Sequence, residues 1–340
     1  MTALKLSSGF RPSCPRFITD PSRRRALAGI VGFSLFGTAH VAQAQPMWRP
    51  AGPVRFVVPY PPGGTGDILA RLIAPSLAER LGQPVIVDNK PGATGSIGSG
   101  YAYMAPADGS TLLLGVADSL SIYPHLAPSR TDVTKFVPVA GLAVAPYVLM
   151  GRPDLPAENL QELLSLMRKQ SLSYASAGSG SGSHMMVVAL ANAAKVDNLL
   201  HVPYNGMAPA LQALLGKQVD FMLLAAAGAG QYRSRFKFYG VSSASRSPTL
   251  PEIPTLTEQG LPLVKENWLG VLAPPNTSAA ISAAMAKAIG EVTASAEFKS
   301  KVAELGLRPM TGTQSEFARY YLDEHRKWGE LVRSANIKLD

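Results

Sequence analysis

The chain has 340 residues, with 32 Lys and Arg against 23 Asp and Glu, a formal net charge of +9 and one cysteine. A single thiol excludes a disulfide framework and a cysteine-built metal site. The basic excess is concentrated at the start: residues 1–44 hold six basic residues and one acidic, leaving +4 for the rest. No basic run interleaved with aromatics survives there, so nucleic acid is not expected as a partner.

The first 44 residues read as an export signal. Ser22-Arg23-Arg24-Arg25-Ala26-Leu27 is a basic stretch, Ala26 to Ala39 is an uncharged apolar segment, and Ala42-Gln43-Ala44 is a small-x-small cleavage site. The expected mature chain begins at Gln45 in the periplasm. The paired arginines match a twin-arginine signal, while Ala26 in place of the usual aromatic leaves the general secretory route open. The apolar segment falls short of the roughly 20 residues that span a bilayer. Cys14 lies inside this segment, so the mature chain has no thiol.

Strand-like and helical patterns alternate beyond it. Strands are predicted at 54–59, 84–88, 111–115, 148–151, 172–175, 199–203, 219–224 and 238–242, with another at 268–275. Helices are predicted at 67–81, 96–105, 159–170, 182–194 and 207–215, and three more at 278–294, 297–305 and 315–335. Pro75 should kink or split the first helix. Alternation of this kind predicts an α/β protein with largely parallel sheets. The units fall into two groups, 54 to about 148 and about 149 to 267, and the last three helices have no strands left to pair with. They are expected to pack back on the first group. Two domains joined by two crossing strands, with a cleft between them, follow: 45–148 plus 269–340, and 149–268.

Four turns at strand-to-helix junctions carry the candidate chemistry. The first is Pro59-Tyr60-Pro61-Pro62-Gly63-Gly64-Thr65-Gly66-Asp67. The second is Pro91-Gly92-Ala93-Thr94-Gly95-Ser96. The third is Ser176-Ala177-Gly178-Ser179-Gly180-Ser181-Gly182-Ser183-His184, and the fourth is Tyr204-Asn205-Gly206-Met207. The first N–H groups of a helix lack internal partners and its dipole favours negative charge, so such a turn can hold an anion. Glycine lets backbone approach a ligand. Four such loops could converge beyond the carboxyl ends of the strands, offering amides and hydroxyls but few full charges. A small carboxylate suits them. Asp67 reads equally as a helix cap or a partner for a ligand amine. Tyr60 and Tyr204 could stack on a ligand or pack beneath their loops, His184 could close the first turn of its helix or line the cleft mouth, and His201 is expected to pack in the core.

Rival motifs fail. No lysine follows Gly64 or Gly66 as a phosphate loop requires, and Leu69 stands where a dinucleotide fingerprint needs its third glycine. Ser181 is flanked by Ser179 and Ser183, not by the glycines of a nucleophile elbow. His125, His184, His201 and His325 lack metal-ligand spacing. No cofactor is expected.

The chain resembles the solute-binding receptors of tripartite tricarboxylate transporters, the Bordetella uptake (Bug) family. The resemblance rests on Val57 through Asp67 and on Asp88-Asn89-Lys90-Pro91-Gly92-Ala93-Thr94-Gly95-Ser96-Ile97-Gly98. It continues through Ala107-Asp108-Gly109-Ser110-Thr111-Leu112-Leu113-Leu114-Gly115, His201-Val202-Pro203-Tyr204-Asn205-Gly206, Leu215-Gly216-Lys217-Gln218-Val219-Asp220 and Ser245 through Leu256. It implies a non-enzymatic, monomeric periplasmic receptor with a flytrap fold of type II, two domains closing on a small organic carboxylate. The carboxylate would pass to a two-subunit membrane permease or be reported to a sensor kinase. Ligand-binding positions implied are Tyr60, Gly63, Gly64, Thr65, Asp67, Ala93, Thr94 and Gly95 in the first domain. In the second they are Ser179, Ser181, Gly182, Ser183, His184, Tyr204, Asn205 and Ala226. Two departures bear on the ligand. Thr94 replaces a common glycine, and Ala225-Ala226-Ala227-Gly228 stands where relatives often carry a polar or acidic residue. Without a carboxylate there, plain or aromatic acids are expected to be preferred over amino acids. The competing reading is an exported α/β enzyme using His184 or Asp67 as an acid–base group on an anionic substrate.

Overall fold

The computed structural model describes residues 48–127 and 131–335. The export signal, its cleavage site and Cys14 lie outside the described residues.

Three parallel strands come first among the described residues: β1 (Val54–Val58), β2 (Val85–Asn89) and β3 (Thr111–Val116). Helix α1 (Thr65–Leu81) connects the first two, and α2 (Ser96–Tyr103) leads to the third. In space the order is β2-β1-β3. The chain therefore moves outward on one side of β1 and returns on the other, which opens a crevice at the carboxyl ends of β1 and β3. The same arrangement recurs later. Strands β5 (Ser173–Ser176), β6 (Leu200–Pro203) and β7 (Phe221–Ala225) are parallel in the order β6-β5-β7, joined by α4 (Gly182–Ala194) and α5 (Met207–Leu215).

Strand β4 (Val137–Gly151), followed by helix α3 (Leu160–Lys169), unites the two halves. Its first part pairs antiparallel with β9 (Glu266–Ala273), which in turn pairs with β3. Its last residues pair antiparallel with β7 and with β8 (Lys237–Val241). The sequence suggested a strand only at 148–151. Pro138, Gly141 and Pro146 disguise the rest, and register shifts on β9 absorb the irregularity. Among the described residues β4 carries hydrogen bonds in both sheets, and β9 pairs with β3 and with the first part of β4.

The two halves bury separate cores. Leu69, Ile73 and Leu77 of α1, recurring on one face, pack against Phe56, Leu112 and Val271. Leu160, Leu163 and Met167 of α3 pack with Leu190, Phe221 and Tyr239. Pro75 does not split α1. It sits on the exposed face of an uninterrupted helix. Of the three closing helices, α7 (Ala279–Thr293) and α8 (Ala296–Glu304) pack in the first core, as Met285, Ile289, Phe298 and Val302 show. Helix α9 (Gln314–Ala335), preceded by the short β10 (Arg308–Pro309), departs from expectation. Phe317 and Tyr321 pack with Trp268 and Leu113, but Trp328 and Val332 join the second core. At 22 residues α9 is about 33 Å long, enough to reach both.

Candidate functional site

A cavity of about 770 Å³ opens where the strand ends of both halves meet. From the first half come Tyr60, Pro61, Pro62, Gly64, Thr65 and Gly66, which leave β1 and begin α1, with Val116 at the end of β3 and Asp118 just beyond it. From the second half come Met207 and Ala208 at the start of α5, with Ala225 and Ala227 around the end of β7 and its short following helix α6 (Ala226–Ala229). Ala145 of β4 and Asn267 and Leu269 of β9 complete the wall. The cavity lies where the strand order places a crevice. A smaller cavity of about 360 Å³ beside α9 is lined by the Arg308–Glu266 ion pair (2.7 Å) and stands away from the strand ends.

The first loop is shaped by Asp67. Gly64 caps α1 without a side chain, so Asp67 is not the cap residue. From the first turn its carboxylate reaches back to accept the Gly63 N–H (2.9 Å), the Arg71 Nε–H (3.0 Å) and the Asn89 Nδ2–H (2.9 Å). Asn89 also donates to the Tyr60 carbonyl at 3.0 Å. The Arg71 guanidinium holds the Asp67 pKa at about 2 despite burial, and the Gly63 and Asn89 donors add to this. Asp67 is spent on tying the loop to β2 and does not line the cavity. Gly63 gives its N–H to the same carboxylate, and Gly64, Thr65 and Gly66 present the start of α1 instead.

The loop after β2 stands one strand away from the crevice. Ala93, Thr94 and Gly95 form a tight left-handed turn, with φ of 44° and 52° at the two non-glycine residues. Its contact with the site is indirect: the Tyr60 hydroxyl donates to the Thr94 carbonyl at 3.4 Å.

The loop after β5 is mostly occupied with itself. Ser181 caps α4 by accepting the His184 N–H at 3.3 Å, and Ser183 accepts the Ala177 N–H at 3.0 Å. Gly180 N–H donates to His184 Nδ1 at 3.0 Å, so His184 closes the first turn of its helix. Its ring stacks on His201, centroids 3.8 Å apart, and His201 Nε2 meets the Ser176 hydroxyl at 2.7 Å. Burial, with the neighbouring His201, drives the His184 pKa down to about 4, so the ring is neutral at physiological pH. No carboxylate orients it, which leaves it without the equipment of a catalytic base. Ser179 does not line the cavity. Gly182 touches the site from behind: a Cβ there would collide with the Tyr147 hydroxyl and Asp118 Oδ1.

The fourth loop contributes through its neighbours. Tyr204 packs on the second half's core and Asn205 stays outside the cavity, while Met207 and Ala208 line it. Ala226 is buried in that core, and Ala225 and Ala227 face the cavity in its place.

The sequence reading missed Asp118, Tyr147 and Asn267. Asp118 opens a π-helical turn (Asp118–Ile122) directly after β3. Its environment is apolar enough to push its carboxyl pKa up to about 6 by desolvation, offset in part by the Gly182 amide. Their own burial, with the nearby Asp118 charge, holds the phenols of Tyr60 and Tyr147 far above the ordinary tyrosine range. The available signal was positional, because Asp118 follows a parallel strand as Gly63 does. The loop has no glycine to mark it.

Among the described residues no group of three or more His, Cys, Asp or Glu could hold a metal, and no helix is long and apolar enough to cross a membrane.

Two α/β halves sharing one strand, with a cleft at their strand ends, define the fold of periplasmic binding proteins. The family model of the tripartite tricarboxylate transporter family receptor matches residues 69–337, and the chain belongs to that family. Among curated relatives, it is 36% identical over 329 residues to the UPF0065 protein in the tcbD-tcbE intergenic region of Pseudomonas sp. (strain P51), covering 94% of this chain and 96% of the relative. Among solved structures it is similar to MatC (Rpa3494) of Rhodopseudomonas palustris with bound malate. That likeness has 31% identity and a TM-score of 0.71, over 83% of this chain and 99% of that one. It is also similar to R. palustris Rpa4515 with adipate, at 30% identity and a TM-score of 0.73, over 85% and 99%. The family is one of receptors, and this chain is a substrate-binding protein and not an enzyme.

Proposed function

We propose that the chain is a periplasmic receptor that captures a small organic carboxylate in the cleft between its halves. The carrying observation is the cavity itself. It is walled largely by apolar side chains and is met by the N-termini of α1 and α5, whose first amides have no partners inside their helices. The solved relatives with malate and adipate support a carboxylate as the occupant. Thr65 and the amides of Gly64–Gly66 would hold it from one side and the start of α5 from the other.

The first lobe comprises 45–148 with 269–340 and the second 149–268. β4, which bonds in both sheets, supports a hinge close to this boundary. Helix α9 reaches both cores and would flex or slide as the lobes close. Ligand binding shifts the open–closed equilibrium, and a closed monomer delivers its cargo to a two-subunit permease or reports to a sensor kinase. The chain is exported and its signal peptide removed after Ala44, in keeping with a family whose receptors are periplasmic.

A thermal-shift screen against mono-, di- and tricarboxylates, amino acids and aromatic acids tests this reading. A ligand at about 100 times its dissociation constant adds roughly 2.7 kcal/mol, raising the melting point by several degrees. The ligand should be recovered unchanged. Turnover of the ligand, or silence across all carboxylates, would refute the proposal.

A further inference from the structure

Among the described residues that line the cleft, one carries a full charge, and it is negative: Asp118, with no Lys, Arg or His beside it in the lining. Its Oδ1 is shielded from bulk water and has no hydrogen-bond partner. Asn267 Oδ1, from β9 in the same lining, is likewise without one. The groups around Asp118 are the Tyr60 and Tyr147 hydroxyls and the Gly182 amide, none of them cationic. Two buried acceptors left open in one cavity are costly unless something donates to them. A bare carboxylate at that spot would meet like charge or force a proton onto Asp118.

We propose that the ligand is an ammonium-bearing carboxylate, an amino acid in the broad sense, with its N–H donors on Asp118 Oδ1 and Asn267 Oδ1. Its carboxylate faces the amides that begin α1 and α5. This rests on the carboxylate-receptor reading and narrows it. It also reverses the sequence-based preference for plain acids: Ala225 and Ala227 do line the cavity without a charge, but Asp118 supplies the missing carboxylate from another element.

The test is calorimetry of the purified protein at about pH 7.5 with matched skeletons: succinate and aspartate, glutarate and glutamate, butyrate and 4-aminobutyrate, with malate as a hydroxyl-bearing control. In at least one pair the amino member is expected to bind about tenfold or more tightly than its plain partner and than malate. Asp118→Asn, verified as folded by its melting curve, should abolish that preference. Repeating the wild-type titration in buffers of different ionisation enthalpy counts protons without any variant. An ammonium ligand takes up essentially none, whereas a plain acid seated against Asp118 takes up about one. Plain acids or malate that match the amino member, or a preferred ligand that binds with uptake of a proton, would overturn the proposal and leave the carboxylate receptor standing. Failure of every carboxylate, amino-bearing or plain, would overturn both.

Discussion

Asp118→Asn is expected to stabilise the ligand-free protein at neutral pH by about 3 kcal/mol. Burial raises the Asp118 pKa from 3.8 to about 6. The folded protein therefore holds this proton more tightly than the unfolded chain. Below the unfolded value both states are protonated and Asp118 costs nothing. As pH rises through the folded value the folded state must carry an ill-solvated charge, and stability falls. The advantage of the variant should thus be absent near pH 3.8, grow toward pH 6 and remain constant above it. Chemical denaturation of both proteins across this range measures it directly. Loss of stability in the variant at pH 7 would mean that Asp118 braces the fold, and its open Oδ1 would then say nothing about a ligand. A stabilised variant that binds its ligand poorly is the usual trade between stability and function at a binding site.

Gly98→Ala should be among the most damaging single-methyl changes in the chain, at about 2–4 kcal/mol. A Cβ at Gly98 would lie 2.8 Å from the Lys90 carbonyl oxygen and 2.8 Å from the Pro59 Cα. Both atoms are backbone and belong to the ends of β2 and β1, so no rotamer change relieves the clash. The strands would have to part from α2 where the first loop begins. Gly290→Ala provides the contrast. It lies inside α7 with nothing within 4 Å of its Cβ, and replacement there should stabilise by roughly 0.5–1 kcal/mol. Equilibrium denaturation of the two variants separates a packing glycine from a merely tolerated one. Equal effects would refute the reading of Gly98.

How much of this was legible in the sequence depends on what each signal encodes. The periodicity of Leu69, Ile73 and Leu77 located α1, whereas the caps that Ser278, Ser295 and Asn159 provide to α7, α8 and α3 were not read from the sequence. Glycine-rich turns also marked strand-to-helix junctions correctly. Glycine density did not show which junctions meet, because strand order decides that. The turns after β1 and β3 flank the crevice, while the glycine-rich turn after β2 stands outside it. Ala93 to Gly95 were therefore selected on composition, and Asp118 was passed over for lack of it. Ser181, Ser183 and His184 looked like donors for a ligand, yet each satisfies a backbone or side-chain group of its own loop. Hydrogen-bonding capacity is visible in a sequence, but whether that capacity is already spent is not.

The most direct measurement is a crystal structure of the protein bound to whichever carboxylate stabilises it most. The ligand should lie in the cleft, with its carboxylate within about 3.2 Å of amides in the Gly64–Gly66 segment and the two halves closed on it. A ligand seated outside this cleft, or held by side chains with the amides of α1 and α5 still free, would contradict the assignment of this cavity as the receptor site.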